Sequence, residues 1–139
     1  MTDSAAFTAK SVNVSGSVSS GFVLGGASEA SLLDCGSVQC GMHGVYARDE
    51  GSVLTVKRCS VQQNVGCGVL ADLGALVEVS ECCSSRNRMA GYQSQHSAKM
   101  TVAGSFSNSD KGGCVACDGG KLVREEVRED GVVKSGILT

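Results

Sequence analysis

In the stretch "LTVKRCSVQQNVGCGVL", residues 54–70, apolar side chains fall at Leu54, Val56, Cys59, Val61 and Val69, with Ala71 just beyond. The offsets i, i+2, i+5, i+7, i+15 and i+17 match neither the 3.6-residue period of a helix nor the unbroken alternation of a long strand. Moving 23 residues on gives Val77, Val79, Cys82, Ser84, Tyr92 and Ser94, and the next step gives Met100, Val102, Ser105, Ser107, Val115 and Cys117. Moving back 24 gives Ala30, Leu32, Cys35, Ser37, Val45 and Ala47, and 23 more gives Phe7, Ala9, Val12, Val14, Phe22 and Leu24. With Cys counted as apolar, 25 of these 30 sites are apolar and the other five are all Ser. The chain's 42% hydrophobic content would supply about 13 by chance, so the sequence is an internal repeat.

Residues two apart point to one face of a strand, so each repeat holds three strand stubs with two inward side chains apiece. Only Lys57 and Arg58 separate the first stub from the second in the best repeat, which leaves room for a corner and no helix. The longer second corner carries Ser17, Cys40, Asn64, Asn87 and Asp110 at one position, followed four residues later by Gly21, Gly44, Gly68, Gly91 and Cys114. Asn and Gly tolerate left-handed backbone, so these two columns are expected to make the turn. Stacked Asn64 and Asn87 would hydrogen-bond along the coil axis.

Three short strands per 23 residues describe an all-β triangular solenoid, a parallel β-helix of about five coils. The run "GSVLTVKRCSVQQNVGCGVLADLGALVEVSECCSSRNRMAGYQ" resembles the right-handed parallel β-helix repeats of the pectin-lyase-like superfamily, found in carbohydrate-active enzymes and in F-box substrate adaptors. The resemblance spans about residues 5–119 and implies the fold more than an activity. A leucine-rich repeat has an overlapping period, but its inward sites favour Leu, where these are mostly Val, Ala, Ser and Cys.

Beyond the coils the pattern fails: a further step gives Val123, Glu125, Arg128, Asp130 and Leu138, and shifting it by one residue still leaves Arg124 and Glu129 at inward sites. Residues 1–119 are therefore read as coils and 120–139 as an irregular or capping segment with a possible partial coil. "KLVREEVRED" places Leu122, Val123, Glu126 and Val127 at helix-like spacing, as a charged lid over the last coil. An uncovered solenoid end is a row of unpaired strand edges, so the segment is expected to belong to a longer protein or to stack on a second copy.

Composition narrows the partners. Twelve Lys and Arg against 14 Asp and Glu give a net charge of −2, with no basic field for nucleic acid or anionic lipid. No apolar run is long enough for a leader or a span, which points to a soluble, intracellular, cytoplasmic chain. Its eight cysteines are then expected as thiols.

Chemistry is sparse in the pattern. Cys35, Cys59 and Cys82 share an inward column and read as small apolar fillers, their Cβ atoms at roughly 4.8 Å being too far apart for a favoured disulfide. "CVAC", Cys114 to Cys117, lacks the second pair that a four-thiolate metal site needs. His43 and His96 are more than two repeats apart and read as corner residues that cannot pair. "CGMHGV" is similar to the Gly-His-Gly of polygalacturonases, but Met42 replaces the first Gly and the accompanying Asp cluster is missing. No outward column gathers the two carboxylates that glycoside hydrolysis uses. What remains is a mixed-charge strip, Lys57, Arg58, Glu81, Arg86 and Arg88, in which Arg58 should face Glu81 and Arg86 and Arg88 would anchor an acidic peptide.

These readings lead to a non-catalytic protein-interaction or scaffold module, with no enzyme activity, cofactor or metal. The expected partner is a protein, with homo-oligomers through the coil ends possible in principle, and neither nucleic acid nor membrane. Carbohydrate binding or cleavage, implied by the superfamily resemblance, and self-assembly through coil ends are the alternatives.

Overall fold

The computed structural model describes residues 6–108 and 111–139, so Asp110 of the expected corner column lies outside the described residues. Strands follow one another in threes. Coil one is β1 (Ala6–Lys10), β2 (Asn13–Ser15) and β3 (Phe22–Leu24); coil two is β4 (Glu29–Leu33), β5 (Gly36–Val38) and β6 (Val45–Ala47). Coil three is β7 (Val53–Lys57), β8 (Ser60–Gln62) and β9 (Val69–Ala71); coil four is β10 (Leu76–Ser80), β11 (Cys83–Ser85) and β12 (Ala90–Ser94). Coil five is β13 (Lys99–Ala103), β14 (Phe106–Asn108) and β15 (Gly112–Ala116). Each strand pairs in parallel with its counterpart one coil on, as Leu54 with Val77 and Val77 with Met100. The result is a parallel β-solenoid with no helix among the described residues.

The interior is a narrow stack of small side chains. Leu54, Val56, Cys59, Val61, Val69 and Ala71 are all buried, as are their equivalents one coil on, including Ser84 and Ser94. Tyr92 is the one large aromatic wholly enclosed, and its hydroxyl donates to the Phe106 carbonyl at 2.8 Å. On the third side the last coil is one residue short: Cys114, 22 residues after Tyr92, is its partner. Cys114 and Ala116 therefore face the core, not Val115 and Cys117 as the constant step implied.

The corners correct a second expectation. Left-handed backbone falls at Ser11, Asp34, Arg58, Glu81 and Gly104 on the first corner and at Gly16, Gln39, Gln63 and Arg86 on the second, one residue before the Asn column. The glycines after that column serve close approach instead of left-handed φ. A Cβ on Gly68 would collide with Ser84 Oγ and lie 2.6 Å from the Gly91 carbonyl, and one on Gly44 would lie 2.7 Å from the Gly68 carbonyl.

The Asn stack is present. Asn64 and Asn87 are buried; Asn64 Nδ2 donates to Asn87 Oδ1 at 2.9 Å, and the same oxygen accepts the Asn64 backbone N–H at 3.0 Å. Asn64 Oδ1 in turn accepts the Cys40 N–H at 3.1 Å. Each amide thus satisfies backbone that a tight corner would otherwise strand without a partner.

Residues 121–138 form neither a helix nor a disordered tail. β16 (Lys121–Glu129) pairs in parallel first with β13 and then with β14, bending at a bulge where Glu126 is left-handed. Leu122 and Val127 point inward and are fully buried, five residues apart like Leu54 and Cys59. Arg124 and Glu129 do occupy inward sites, and they neutralise each other at 3.2 Å while Glu129 accepts the Cys114 N–H at 2.9 Å. Asp130 and Gly131, both at positive φ, then reverse the chain into β17 (Val132–Leu138), antiparallel to β16. The helix-like spacing was the i, i+5 step of a coil crossing a corner.

Candidate functional site

The five residues of the charge strip lie on two different corners. Lys57 ends β7, and Arg58 and Glu81 are left-handed residues of the first corner. Glu81 does occupy the neighbouring coil, yet the Arg58 guanidinium turns the other way: Nε donates to Asp34 Oδ1 at 2.8 Å and Nη2 to Oδ2 at 3.4 Å. The hydrogen bond from Arg58 holds the Asp34 carboxyl below its usual range. The expected Arg58–Glu81 pairing is replaced by Arg58–Asp34.

Arg86 and Arg88 stand on the second corner with Gln39 and Gln63, lining a shallow hollow of about 510 Å³. Among the described residues no carboxylate lies within 4.0 Å of either guanidinium. Beneath them the Asn64 and Asn87 amides fix the backbone, so the two arginines project from a stiff corner.

Three apolar residues accompany them that the repeat did not single out. Met42, Val65 and Met89 are 48%, 46% and 44% exposed on the same corner. Their only signal in the sequence is their type, because large apolar side chains at a turn are unusual where Gly, Ser and Asn normally stand.

The third corner gathers titratable groups from separate coils. Asp72 Oδ1 lies 2.6 Å from His96 Nδ1, and Asp72 Oδ2 accepts the Tyr46 hydroxyl at 2.9 Å. Burial opposes ionisation of Asp72, but hydrogen bonds from His96, Tyr46 and Gln95 outweigh it and keep the carboxyl below its usual range. Asp118 Oδ2 is 3.7 Å from His96 Nε2. His43, whose pKa is lowered by burial, accepts the Cys67 N–H through Nδ1 at 2.9 Å and packs on Tyr46 with 5.3 Å between ring centroids. The two histidines do not touch, as their spacing implied, but they flank one Tyr46–Asp72 link that position in the repeat did not reveal. These donors and acceptors are largely spent on one another, which suits bracing of the corner.

The interior thiols act as hydrogen-bonding fillers. The Cys59 N–H donates to Cys82 Sγ at 3.4 Å, and the Cys82 N–H donates to Ser105 Oγ at 3.1 Å. Bonding to Cys59, with burial, raises the Cys82 pKa, so this thiol is a poor nucleophile at neutral pH. No group of three His, Cys, Asp or Glu residues is placed to hold a metal among the described residues.

Residues 1–137 match the family model described as the right handed beta helix region. The chain belongs to the right-handed β-helix family. No curated protein and no solved structure matches it. Within a right-handed β-helix the three corners run as parallel ridges, and here they differ: an ion pair joins Arg58 and Asp34 on the first, a hydrogen-bonded network closes the third, and the second holds two arginines without a carboxylate among the described residues, beside exposed methionines.

Proposed function

We propose that this right-handed β-helix is a non-catalytic interaction module, a stiff scaffold that presents its second corner to a partner protein. The observation that carries this reading is the pair Arg86 and Arg88, without a carboxylate partner among the described residues, beside exposed Met42, Val65 and Met89. Arginine is favoured at binding hot spots because its planar fork meets carboxylates at two points. Methionine adapts its flexible thioether to varied apolar surfaces. The backbone below is rigid, so little ordering entropy opposes association. We place the module in the cytoplasm: all eight cysteines are thiols, the form a reducing compartment maintains, and no helix among the described residues is long and apolar enough to cross a membrane.

The test is a quantitative pull-down with the wild-type chain and with the double variant Arg86→Glu/Arg88→Glu, followed by direct binding to the purified partner. Recovery should fall at least tenfold in the variant, while circular dichroism stays unchanged. Equal recovery would remove the second corner from the binding face.

A second reading, self-association, is favoured by β17, whose outer edge is unpaired among the described residues and whose Val132, Val133 and Ile137 are exposed. Sedimentation over a hundredfold concentration range separates it, since a monomer throughout would exclude it.

A further inference from the structure

Met42 and Met89 frame a notch. The Gly66 N–H donates to the Met42 carbonyl at 2.7 Å and the Met89 N–H to the Gly66 carbonyl at 3.2 Å, so the three residues stack on successive coils with glycine in the middle. Coils stack at about 4.8 Å, which puts the two methionines roughly 10 Å apart, with the His43 ring lying against the middle glycine. Glycine is required there, because a Cβ would run into the His43 ring. Its lining includes Cys67 and Leu70, which belong with Ala90 to a small buried apolar cluster separate from the main core. The notch measures about 400 Å³, and its far rim is set by Gln93, whose amide donates to Gln95 at 2.7 Å. It shares Gly41 and Val65 with the hollow of Arg86 and Arg88, so an apolar recess and a cationic hollow without a carboxylate among the described residues lie on the two sides of one side chain, Val65.

We infer that the notch takes one large apolar side chain of an extended acidic segment from another protein, whose carboxylates reach across Val65 to Arg86 and Arg88. This rests on the interaction reading and names its partner. An apolar recess alone would fit many occupants; the adjoining positive charge selects an acidic one. An extended chain advances about 3.3 Å per residue and the two recesses share Val65, so the apolar anchor and the first carboxylate should lie close in sequence, two to four residues apart.

Fluorescence anisotropy tests it with fluorescein-labelled twelve-residue peptides of Gly and Ser carrying one Leu or Phe and a Glu-Glu pair, at separations from one to eight residues. Separations of two to four should bind at least tenfold tighter than the longest ones, and tenfold tighter than peptides with Ser for the apolar residue or Lys for Glu. The variant Met42→Ser/Met89→Ser should lose the dependence on Leu or Phe while keeping that on Glu, and Arg86→Glu/Arg88→Glu should do the reverse. Binding that ignores the apolar residue, or that Met42→Ser/Met89→Ser leaves intact, overturns the notch. Tighter binding of a ten-nucleotide single-stranded DNA than of every peptide overturns the acidic segment. If no peptide exceeds its controls while the pull-down still depends on Arg86 and Arg88, this inference fails and the interaction reading stands.

Discussion

The first and second corners of this β-helix turn the chain by the same device and finish it differently. Both place a residue in left-handed backbone, Arg58 on one and Arg86 on the other. On the first corner the inward column is Cys59, Cys82 and Ser105, whose sulfur and hydroxyl atoms accept backbone N–H groups, and the outward arginine is closed by Asp34. On the second corner the inward column is Asn64 and Asn87, and the outward arginines have no carboxylate among the described residues. An amide both donates and accepts, so it ties two coils together where a thiol makes weaker links. The corner braced by amides from inside is the one whose outward arginines have no carboxylate among the described residues, as a preorganised binding edge requires.

The largest effect that would break this contrast is inside. Asn64→Ala should destabilise the fold by about 3 kcal/mol, because the Cys40 N–H loses its buried acceptor and Asn87 Oδ1 loses one of its two donors. Cys82→Ala, which removes one weak acceptor and a single atom's packing, should cost only about 1 kcal/mol. Urea unfolding followed by circular dichroism measures both, and equal costs would contradict the distinction between amide and thiol columns.

A smaller effect sharpens the outside. Gln63 is exposed and left-handed on the second corner, with φ of 56°. Gln63→Gly should stabilise the chain by about 0.5 kcal/mol, the strain of left-handed backbone being only partly offset by glycine's entropy. On the first corner Arg58→Gly should give no such gain, since it also removes the Asp34 pairing. Thermal unfolding of the two variants side by side reads the difference.

The coils were legible because most inward sites recur at steps of 23 or 24, and the burial of Leu54, Val56, Cys59, Val61, Val69 and Ala71 and of their equivalents one coil on follows from it. The left-handed positions were not. Asp34, Arg58, Glu81, Gln39 and Gln63 include few residues that choose such backbone unaided, and stacking on the coil below imposes it. The end of the chain was misread because Arg124 and Glu129 break the apolar pattern singly and satisfy each other as a pair. Asp130-Gly131 carried a hairpin signal that the helix-like spacing hid. At the candidate site Arg86 and Arg88 were named from the sequence as anchors for an acidic peptide. Met42 and Met89 did not, since they are two coils apart and meet only across Gly66.

Amide hydrogen exchange of the chain with and without its captured partner tests the central claim most directly. Protection should appear at residues 39–43, 63–67 and 86–89 and leave residues 34, 58 and 81 unchanged. Protection confined to the first corner, or to β17, would contradict the assignment of the second corner as the binding face.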